Sequence, residues 1–494
     1  MRHNLIKKIF LIILGVILVV ALAGCSPDSP TPIEPHTPPT PPTPPAPAVG
    51  ANEVKIYYLN DIHGVLDNDT NLGALNVFSF LKEQKTLAPD NTFIFFGGDI
   101  FQGQFVSNHF YGEPMIDLMN YVGVDGLVLG NHEFDWGIDK ILNYFDGDDA
   151  NGEATFPLIT NNITKKADGT RLEYTTDYQI FSYNDFDFSV IGSIGEGLES
   201  SILTSRVSDY EFGNVAINNE RVYNEINNTI PTLDYNVFIT HHGSTEDLYD
   251  YRSYISAAAN LEKTGLYFEA HTHRTYIKDI QGMKVVQAGS NLSRVNESIL
   301  TFDNNKVVTN VETRNLSSIN SLAYTNEIEN ILRPYNEIAI PLLSEVIGTS
   351  AMTYNQYELT EYAARVFAAV TNSQVGIHNI GGTRTIMQQG VITTGNIYTI
   401  FPFDNVVIRI RIQGLYLQTL MNSGSYIAYN MGGYINDASY YYVALNDYIF
   451  ESPYNNLTGY EFETFNTIKE LMIDQIRKQQ AQYGIFDIDN PIIL

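Results

Sequence analysis

The sequence predicts an α/β fold arranged in two domains. Its 494 residues exceed the size of one ordinary domain. From Asn52 onward, short apolar runs alternate with amphipathic segments, which indicates sheets covered by helices. A helical pattern interrupted by Pro334 and Pro341 separates this region from a second one. We therefore expect a first, larger α/β domain over residues 52–322, a helical connector over 323–345 and a smaller α/β domain over 346–494.

Each element of the first domain has its own local signal. The segments EVKIYYLN, TFIFFGG, GLVLG, TFPLIT, DFSVIGSI, YNVFIT and GLYFEA are apolar enough to be buried strands. LGALNVFSFLKEQKTL and GEPMIDLMNYVG have helical periodicity and lie between them. Residues 284–314 predict antiparallel strands that close the domain.

The first 25 residues predict a secretory signal peptide. Arg2, Lys7 and Lys8 precede an apolar run over residues 9–20. The run is short for a membrane span, which is the alternative interpretation. Residues 22–25 (LAGC) resemble a bacterial lipobox, which implies a lipid on Cys25 and an extracytoplasmic, membrane-anchored protein. Residues 26–51 are rich in proline and predict an extended linker.

Composition excludes several classes of site. Acidic residues outnumber basic ones by 56 to 28, and the formal charge of −28 disfavours binding to nucleic acid or anionic lipid. Cys25 is the single cysteine, so disulfides and thiolate metal sites are excluded. A small anionic substrate remains possible where metal cations reverse the local field.

Polar residues follow the ends of five predicted strands. Because loops at the carboxyl ends of strands converge in α/β proteins, we expect these residues to meet in one cleft. Imidazole, carboxylate and amide ligands suit Mn, Fe, Zn or Co. They outnumber the ligands of one ion, so a pair of divalent metals fits better. The residues concerned are Asp61 and His63, Asp99, Asn131 and His132, His241 and His242, and His271 and His273.

These motifs together resemble the calcineurin-type metallophosphoesterases, and more narrowly the secreted 5′-nucleotidase and UDP-sugar hydrolase family. The resemblance implies a metallophosphoesterase β-sandwich flanked by helices, followed by a smaller α/β nucleotide-binding domain. Ala270 departs from the family, which usually has glycine there. The matching motifs are Asp61-Ile62-His63-Gly64, Gly98-Asp99, Gly130-Asn131-His132-Glu133-Phe134-Asp135, Thr240-His241-His242-Gly243 and Ala270-His271-Thr272-His273.

The resemblance also implies individual roles. One metal would be held by Asp61, His63, Asp99 and His273, and the other by Asp99, Asn131, His241 and His271. His132 would contact the phosphate and assist catalysis, with Asp135 orienting it, while a hydroxide between the two metals attacks phosphorus. Glu133 is expected to be structural, and His242, His109 and His378 to be packing or surface residues.

The second domain resembles the family's nucleoside-binding domain less closely. Asn379-Ile380-Gly381-Gly382-Thr383-Arg384 is similar to the family's glycine-rich loop, which implies substrate contacts from Asn379, Gly381, Gly382 and Arg384. Phe403 and Tyr448 are similar in position to the two aromatic residues that hold the base. The segment 354–359 departs from the family's pattern, and the aspartate that binds ribose has no counterpart in 452–456.

The expected function is hydrolysis of extracellular nucleotides by a lipid-anchored, two-metal phosphohydrolase that does not bind nucleic acid. Nucleoside 5′-monophosphates are the first expected substrates. UDP-sugars, nucleoside diphosphates and 2′,3′-cyclic nucleotides are the alternatives within this class. A lipoprotein that binds nucleotides without turnover is the alternative outside it, although the intact His132 and Asp135 disfavour it.

Overall fold

The computed structural model describes residues 52–148, 152–243, 253–430 and 433–494. The predicted signal peptide, Cys25 and the proline-rich linker lie outside the described residues. Those that are described belong to one compact unit, Val49–Leu494. None of their helices is both long enough and apolar enough to cross a membrane.

The N-terminal part is a sandwich of two mixed sheets. In the first sheet five parallel strands lie side by side, and two further strands with antiparallel pairing extend one edge. Its spatial order is β15 (Val308–Leu316), β14 (Val295–Phe302), β1 (Glu53–Leu59), β2 (Thr92–Phe96), β3 (Gly126–Leu127), β4 (Leu158–Ile159) and β6 (Thr175–Thr176).

The second sheet has a parallel centre with antiparallel edges. Its order is β12 (Thr275–Ile280), β13 (Met283–Ala288), β11 (Thr264–Glu269), β10 (Tyr235–His241), β8 (Phe186–Ile194) and β7 (Tyr178–Tyr183). β13 pairs antiparallel with β12 but parallel with β11, so the expectation of purely antiparallel strands over 284–314 is wrong for this strand. Apolar periodicity identifies a strand but does not specify which strand it pairs with. β5 (Ile163–Lys165) and β9 (Tyr210–Phe212) form a separate pair.

Side-chain alternation along the strands produces three layers of core. Ile56 and Phe95 of the first sheet pack against Val237 and Phe268 of the second. The opposite faces of the two sheets pack on helices, as expected for strands buried on both sides. The first sheet is covered by Ala74–Leu87 and Glu113–Val122, and the second by Val215–Thr229 and Ser253–Ala259. The predicted sandwich flanked by helices is therefore confirmed.

The helix Thr325–Leu343 follows the sandwich and is continuous through both of its prolines. The predicted interruption at Pro334 and Pro341 is therefore wrong. The carbonyls that the prolines leave without a helical donor belong to residues 330 and 337, which are exposed and can bond to water. One apolar face of the helix stays packed through Ile328, Leu332, Tyr335 and Ala339.

The C-terminal part is built on a smaller sheet. Its order is β20 (Tyr426–Asn430), β17 (Val375–Asn379), β21 (Tyr440–Asn446), β19 (Val406–Gln413) and β22 (Phe462–Thr467), beside the pair β16 (Val346–Ser350) and β18 (Gly390–Thr393). One face packs on Gln356–Val370, Thr394–Ile400 and Ile468–Tyr483, and the other on Gly414–Met421. The predicted smaller α/β part is thus present.

The remaining helical elements are short. The α-helical segments are Phe105–His109, Asp139–Leu142, Thr204–Val207 and Asp447–Glu451. The 3₁₀ turns are His132–Phe134, Leu198–Ser201 and Ile380–Gly382.

Candidate functional site

The residues singled out at the strand ends converge on one edge of the sandwich. Asp61 and His63 follow β1, Asp99 follows β2 and Asn131 lies beyond β3, all in the first sheet. His241 ends β10, and the segment with His271 and His273 follows β11, in the second sheet. The backbone N–H of His271 donates to Asp61 Oδ2 over 2.9 Å, which joins the two sheets at this edge.

One group of possible metal ligands consists of Asp61, His63 and His273, whose ligand atoms lie within 4.8 Å of one another. The Nε2 atoms of the two histidines are 2.9 Å apart, and His273 Nε2 is 3.4 Å from Asp61 Oδ1. His63 Nδ1 lies 3.1 Å from the carbonyl oxygen of Gln102, to which it donates. This bond leaves the lone pair of His63 Nε2 free to bind a cation.

A second group consists of Asp99, His241 and His271, again within 4.8 Å. His241 Nδ1 donates to the carbonyl oxygen of Gly97 over 2.7 Å, so its Nε2 is the ligand atom. Nε2 lies 3.1 Å from Asp99 Oδ2. Both side chains are almost completely buried.

Unpaired buried atoms show that this second group fits a metal ion. Both polar atoms of Asn131 are buried and form no hydrogen bond with any residue that the structure describes, and buried His241 Nε2 has the carboxylate of Asp99 beside it at 3.1 Å without a well-aligned hydrogen bond. Buried polar atoms without partners are rare in folded proteins. A divalent cation would bind the nitrogen of His241 and the amide oxygen of Asn131, and this mixed nitrogen and oxygen set suits Mn, Zn, Co or Fe.

The electrostatics of the two groups favour binding of cations. Burial lowers the pKa of His271 to about 3 and that of His273 to about 4, so both imidazoles are neutral and able to ligate. Burial raises the pKa of Asp61 to about 7. Burial also opposes ionisation of Asp99, but the neighbouring His241 and His132 hold its pKa well below its usual range. A cation would stabilise both carboxylates in their charged form.

The backbone at these loops takes an uncommon conformation. Asp61, His63, Asp99, His271 and His273 all have positive φ, between 52° and 69°. Such residues are uncommon outside glycine and concentrate at functional sites. Gly130 packs so tightly on Asp99 that a Cβ atom there would overlap with its carboxylate, which explains the need for glycine.

Glu133 is fully buried and holds two of these loops together. Its carboxylate accepts backbone N–H bonds from Asp99 and Ile100 at 2.8 Å and from Gly130 at 2.7 Å. The side chain therefore fixes the approach of the loops after β2 and β3 without facing a ligand. This geometry agrees with the structural role expected for Glu133.

His132 and Asp135 lie beside the two groups and belong to neither. His132 Nδ1 is 2.8 Å from Asp135 Oδ2, and the backbone N–H of His132 donates to Asp99 Oδ1 over 2.8 Å. Burial alone would lower the pKa of His132, but the carboxylates of Asp135 and Asp99 outweigh burial and raise it. The ring of Phe403 stacks on His132 at 5.8 Å.

A cavity of about 460 Å³ opens from the second group towards the C-terminal part of the chain. Of the residues predicted to contact substrate, Asn379, Gly381, Arg384, Phe403 and Tyr448 line it. Gly382 does not, because it is buried against the ring of His378. Cys25 lies outside the described residues.

Several lining residues carry signals that the motif analysis did not use. Trp136, the single tryptophan of the chain, lines the cavity directly after Asp135. Asp447 also lines it, and its Oδ1 accepts bonds from Asn405 Nδ2 at 2.7 Å and from the Tyr448 N–H at 2.9 Å. The Tyr448 hydroxyl donates to the carbonyl oxygen of Ser200 over 3.0 Å. The sequence did offer one clue to these lining residues, because a polar residue stands next to each of the two predicted aromatic residues, Phe403 and Tyr448.

The histidines left without a ligand role pack against aromatic rings. His109 stacks on Phe105 at 5.2 Å and His242 on Tyr254 at 5.7 Å. His378 is completely buried beside Phe367, with ring centroids 5.4 Å apart.

Comparisons with known proteins agree with this arrangement. The family model of calcineurin-like phosphoesterases matches residues 54–275, and that of the 5′-nucleotidase C-terminal domain matches 346–430. The endonuclease YhcR of Bacillus subtilis is 25% identical over 75% of this chain and 32% of its own length. A 5′-nucleotidase of Vibrio cholerae is 23% identical over 64% of this chain and 65% of its own length. The chain thus spans less than two thirds of either relative.

A solved structure supports the fold. The 5′-nucleotidase precursor from Thermus thermophilus superposes with a TM-score of 0.71 at 16% identity, over 88% of this chain and 97% of that one. The two family models follow each other in the same order as the sandwich and the smaller sheet. The two ligand groups at the edge of the sandwich suit the divalent metals of such enzymes. The chain therefore combines a domain of the calcineurin-like phosphoesterase family with a 5′-nucleotidase C-terminal domain.

Proposed function

We propose that this protein releases phosphate from nucleotides with the help of two divalent metal ions. The observation that carries the proposal is the junction of the two ligand groups with a cavity lined by Phe403 and Tyr448. Aromatic rings of this kind stack on nucleobases, since every base offers a π-face. The relative named a 5′-nucleotidase also supports this class of substrate.

The metal ligands in this proposal are those suggested by the sequence. Asp61, His63 and His273 hold one ion, and Asn131, His241 and His271 hold the other, with Asp99 shared. When bound, the ions lower the pKa of water and offset negative charge on the phosphoryl oxygens. Two observations suit Asp99 to a shared position. Its Oδ2 faces His241, and the pKa of its carboxyl is well below the usual range.

His132 is the proposed general acid. The bond between its Nδ1 and Asp135 fixes the ring and leaves Nε2 as the atom that holds the transferable proton. The carboxylates of Asp135 and Asp99 raise the pKa of His132, which favours the protonated ring. His132 then donates its proton to the oxygen of the leaving nucleoside.

The C-terminal part binds the nucleoside in this proposal. Phe403 and Tyr448 hold the base, and Asn379 and Gly381 offer polar contacts at the same cavity. The guanidinium of Arg384 supplies a positive charge for the phosphate. Gly382 contributes through the shape of its loop, since it does not line the cavity.

We also propose the domain division 52–322, 323–345 and 346–494, which the positions of the two family models support. A lipid on Cys25 would hold the protein at the outer face of the membrane.

The net charge of −28 argues against polymeric nucleic acid as the substrate. Small nucleotides are therefore the preferred class.

The test is hydrolysis by the full chain, measured as release of phosphate from nucleoside 5′-monophosphates and nucleoside diphosphates, and as release of a nucleoside monophosphate from UDP-sugars and 2′,3′-cyclic nucleotides. We expect release with Mn²⁺, Co²⁺ or Zn²⁺ and none after chelation. His132→Ala should lower kcat by about 10²–10⁴-fold, the usual range for a general acid. No release from any of these compounds with any metal, together with nucleotide binding that survives His132→Ala, would favour the non-catalytic alternative.

A further inference from the structure

Three residues line both the cavity of about 460 Å³ and a neighbouring cavity of about 410 Å³, namely Gln102, His273 and Arg384. His273 belongs to the first ligand group, and Arg384 is the proposed partner of the phosphate. A residue that shares both cavities with these two lies beside the place proposed for the phosphoryl group. Gln102 is therefore positioned to contact that group as well.

The side chain of Gln102 is buried and has an amide available for a ligand. The residue is 2% exposed, and its amide forms no hydrogen bond with any residue that the structure describes. Buried amides normally bond to protein, to water or to a ligand. Because the amide nitrogen carries two hydrogens, Gln102 can donate to an oxygen bound where the two cavities meet.

The loop that carries Gln102 is held by bonds on both sides of the residue. His63 Nδ1 donates to the carbonyl oxygen of Gln102 over 3.1 Å, and the His63 N–H donates to that of Asp99 over 3.0 Å. Asn108 brackets the next residue, since its Oδ1 accepts from the Gly103 N–H over 2.8 Å and its Nδ2 donates to the Gly103 carbonyl over 3.0 Å. The backbone from which the amide extends is thus fixed in advance, as a donor to a transition state requires.

The amide of Gln102 is neutral and complements the charged groups around it. During phosphoryl transfer, negative charge is spread over three nonbridging oxygens. Bound ions and Arg384 would supply positive charge for these oxygens, and Gln102 would supply a directed hydrogen bond. We propose that Gln102 is a further catalytic residue, whose side-chain N–H donates to a nonbridging phosphoryl oxygen in the transition state. This role rests on the proposed nucleotide hydrolysis and adds one donor to its site.

Replacement of Gln102 by methionine removes the donor and keeps a side chain of similar length. The full chain is loaded with Mn²⁺ and assayed with a nucleoside 5′-monophosphate. Gln102→Met should lower kcat by about 10²-fold, as loss of one preorganised donor does. The metal content, measured by inductively coupled plasma mass spectrometry, should stay at the level of the unmodified chain.

Gln104→Met is the matched control. Gln104 lies two residues along the same loop and does not line the cavity of about 460 Å³. Both ends of its amide are bonded within the chain, because Nε2 donates to Asp67 Oδ2 and Oε1 accepts from the Leu66 N–H. Gln104→Met should therefore leave kcat unchanged. Thermal melts of both variants verify that they fold.

Two inhibitors distinguish a donor to the transition state from a residue that only supports the site. Orthovanadate adopts the five-coordinate geometry of the transition state, whereas inorganic phosphate resembles the product. Gln102→Met should raise the inhibition constant of orthovanadate by about 10²-fold, the same factor by which kcat falls. The inhibition constant of phosphate should rise by no more than about threefold, as expected for one ordinary hydrogen bond.

Three results would overturn this role and leave nucleotide hydrolysis standing. The first is a kcat of Gln102→Met within about threefold of the unmodified value. The second is a loss of metal that parallels the loss of kcat, and the third is equal weakening of both inhibitors, because each would show that Gln102 only supports the site. If the unmodified chain hydrolyses no nucleotide, the proposed function fails and the catalytic role of Gln102 fails with it.

Discussion

His132 Nδ1 lies 2.8 Å from Asp135 Oδ2, and this contact holds the imidazole between the candidate metal ligands and the cavity of about 460 Å³. A carboxylate can only accept, so Nδ1 carries the hydrogen and Nε2 is left for the substrate. Both side chains are mostly buried, with 12% and 14% exposed. The pair therefore acts in a site where water competes little with the contact.

Asp135→Asn should slow catalysis without releasing metal. The amide cannot stabilise a protonated ring as a carboxylate does, so we expect kcat to fall by about 10–100-fold with metal content unchanged. Steady-state kinetics and elemental analysis measure the two quantities. Asp139→Asn, at an exposed position nearby, is the control. An unchanged kcat in Asp135→Asn would remove the orienting role.

Asp99→Ala should reduce the bound metal more than loss of any other single ligand, because both ligand groups are proposed to share this residue. We expect the metal content of the purified protein to fall below half that of the unmodified chain. Inductively coupled plasma mass spectrometry gives the number of ions per chain. His109→Ala is a suitable control, since this exposed histidine stacks on Phe105 outside both groups. Full metal content in Asp99→Ala would contradict the shared position.

Glu133→Gln should destabilise the fold and weaken metal binding together. The three backbone N–H groups need a carboxylate, and the amide would turn a donor towards at least one of them. An unsatisfied buried donor costs about 1–3 kcal/mol, so the free energy of unfolding should fall by about that amount. Denaturant titration measures it, and Glu312→Gln at an exposed site on β15 should leave it unchanged. Equal stability of both variants would show that the loops do not depend on Glu133.

His378 should make the protein sensitive to acid. Burial lowers its pKa from 6.5 to about 3, so the folded chain keeps it neutral while the unfolded chain takes up a proton. Between pH 6.5 and about pH 3 the unfolded chain therefore binds more protons than the folded chain. Because of this difference, the free energy of unfolding falls as pH falls from 6.5 towards 3. The loss from this residue is roughly 3 kcal/mol by about pH 4.

His378→Gln removes this ionisation and should flatten the pH dependence of stability relative to the unmodified chain. Chemical unfolding at several pH values between about 4 and 7 measures the difference. His109→Gln, at an exposed histidine, is the control for replacing a histidine outside the core. Parallel curves for His378→Gln and the unmodified protein would contradict the expectation.

The convergence of the site was predictable because it depends on short signals. Asp61, Asp99 and His241 each sit where an apolar run ends, and parallel strands bring their ends to one edge. The parallel pairing of β13 with β11 was not predictable, since periodicity does not specify the partner of a strand. Asp447 was missed for another reason: its importance depends on which atoms share hydrogen bonds, and only coordinates give that information.

The candidate ligands are supplied by loops from both layers of the sandwich. Asp61 and Asp99 follow strands of one layer, and His241 and His271 belong to the other. A pair of bound ions would cross-link the two layers and resist their sliding or separation. Metal loading should then slow hydrogen–deuterium exchange in β1 and β10 alike, although the two strands belong to different sheets. Availability of metal in the surroundings would in this way govern how long the protein survives proteases, and not only how fast it works.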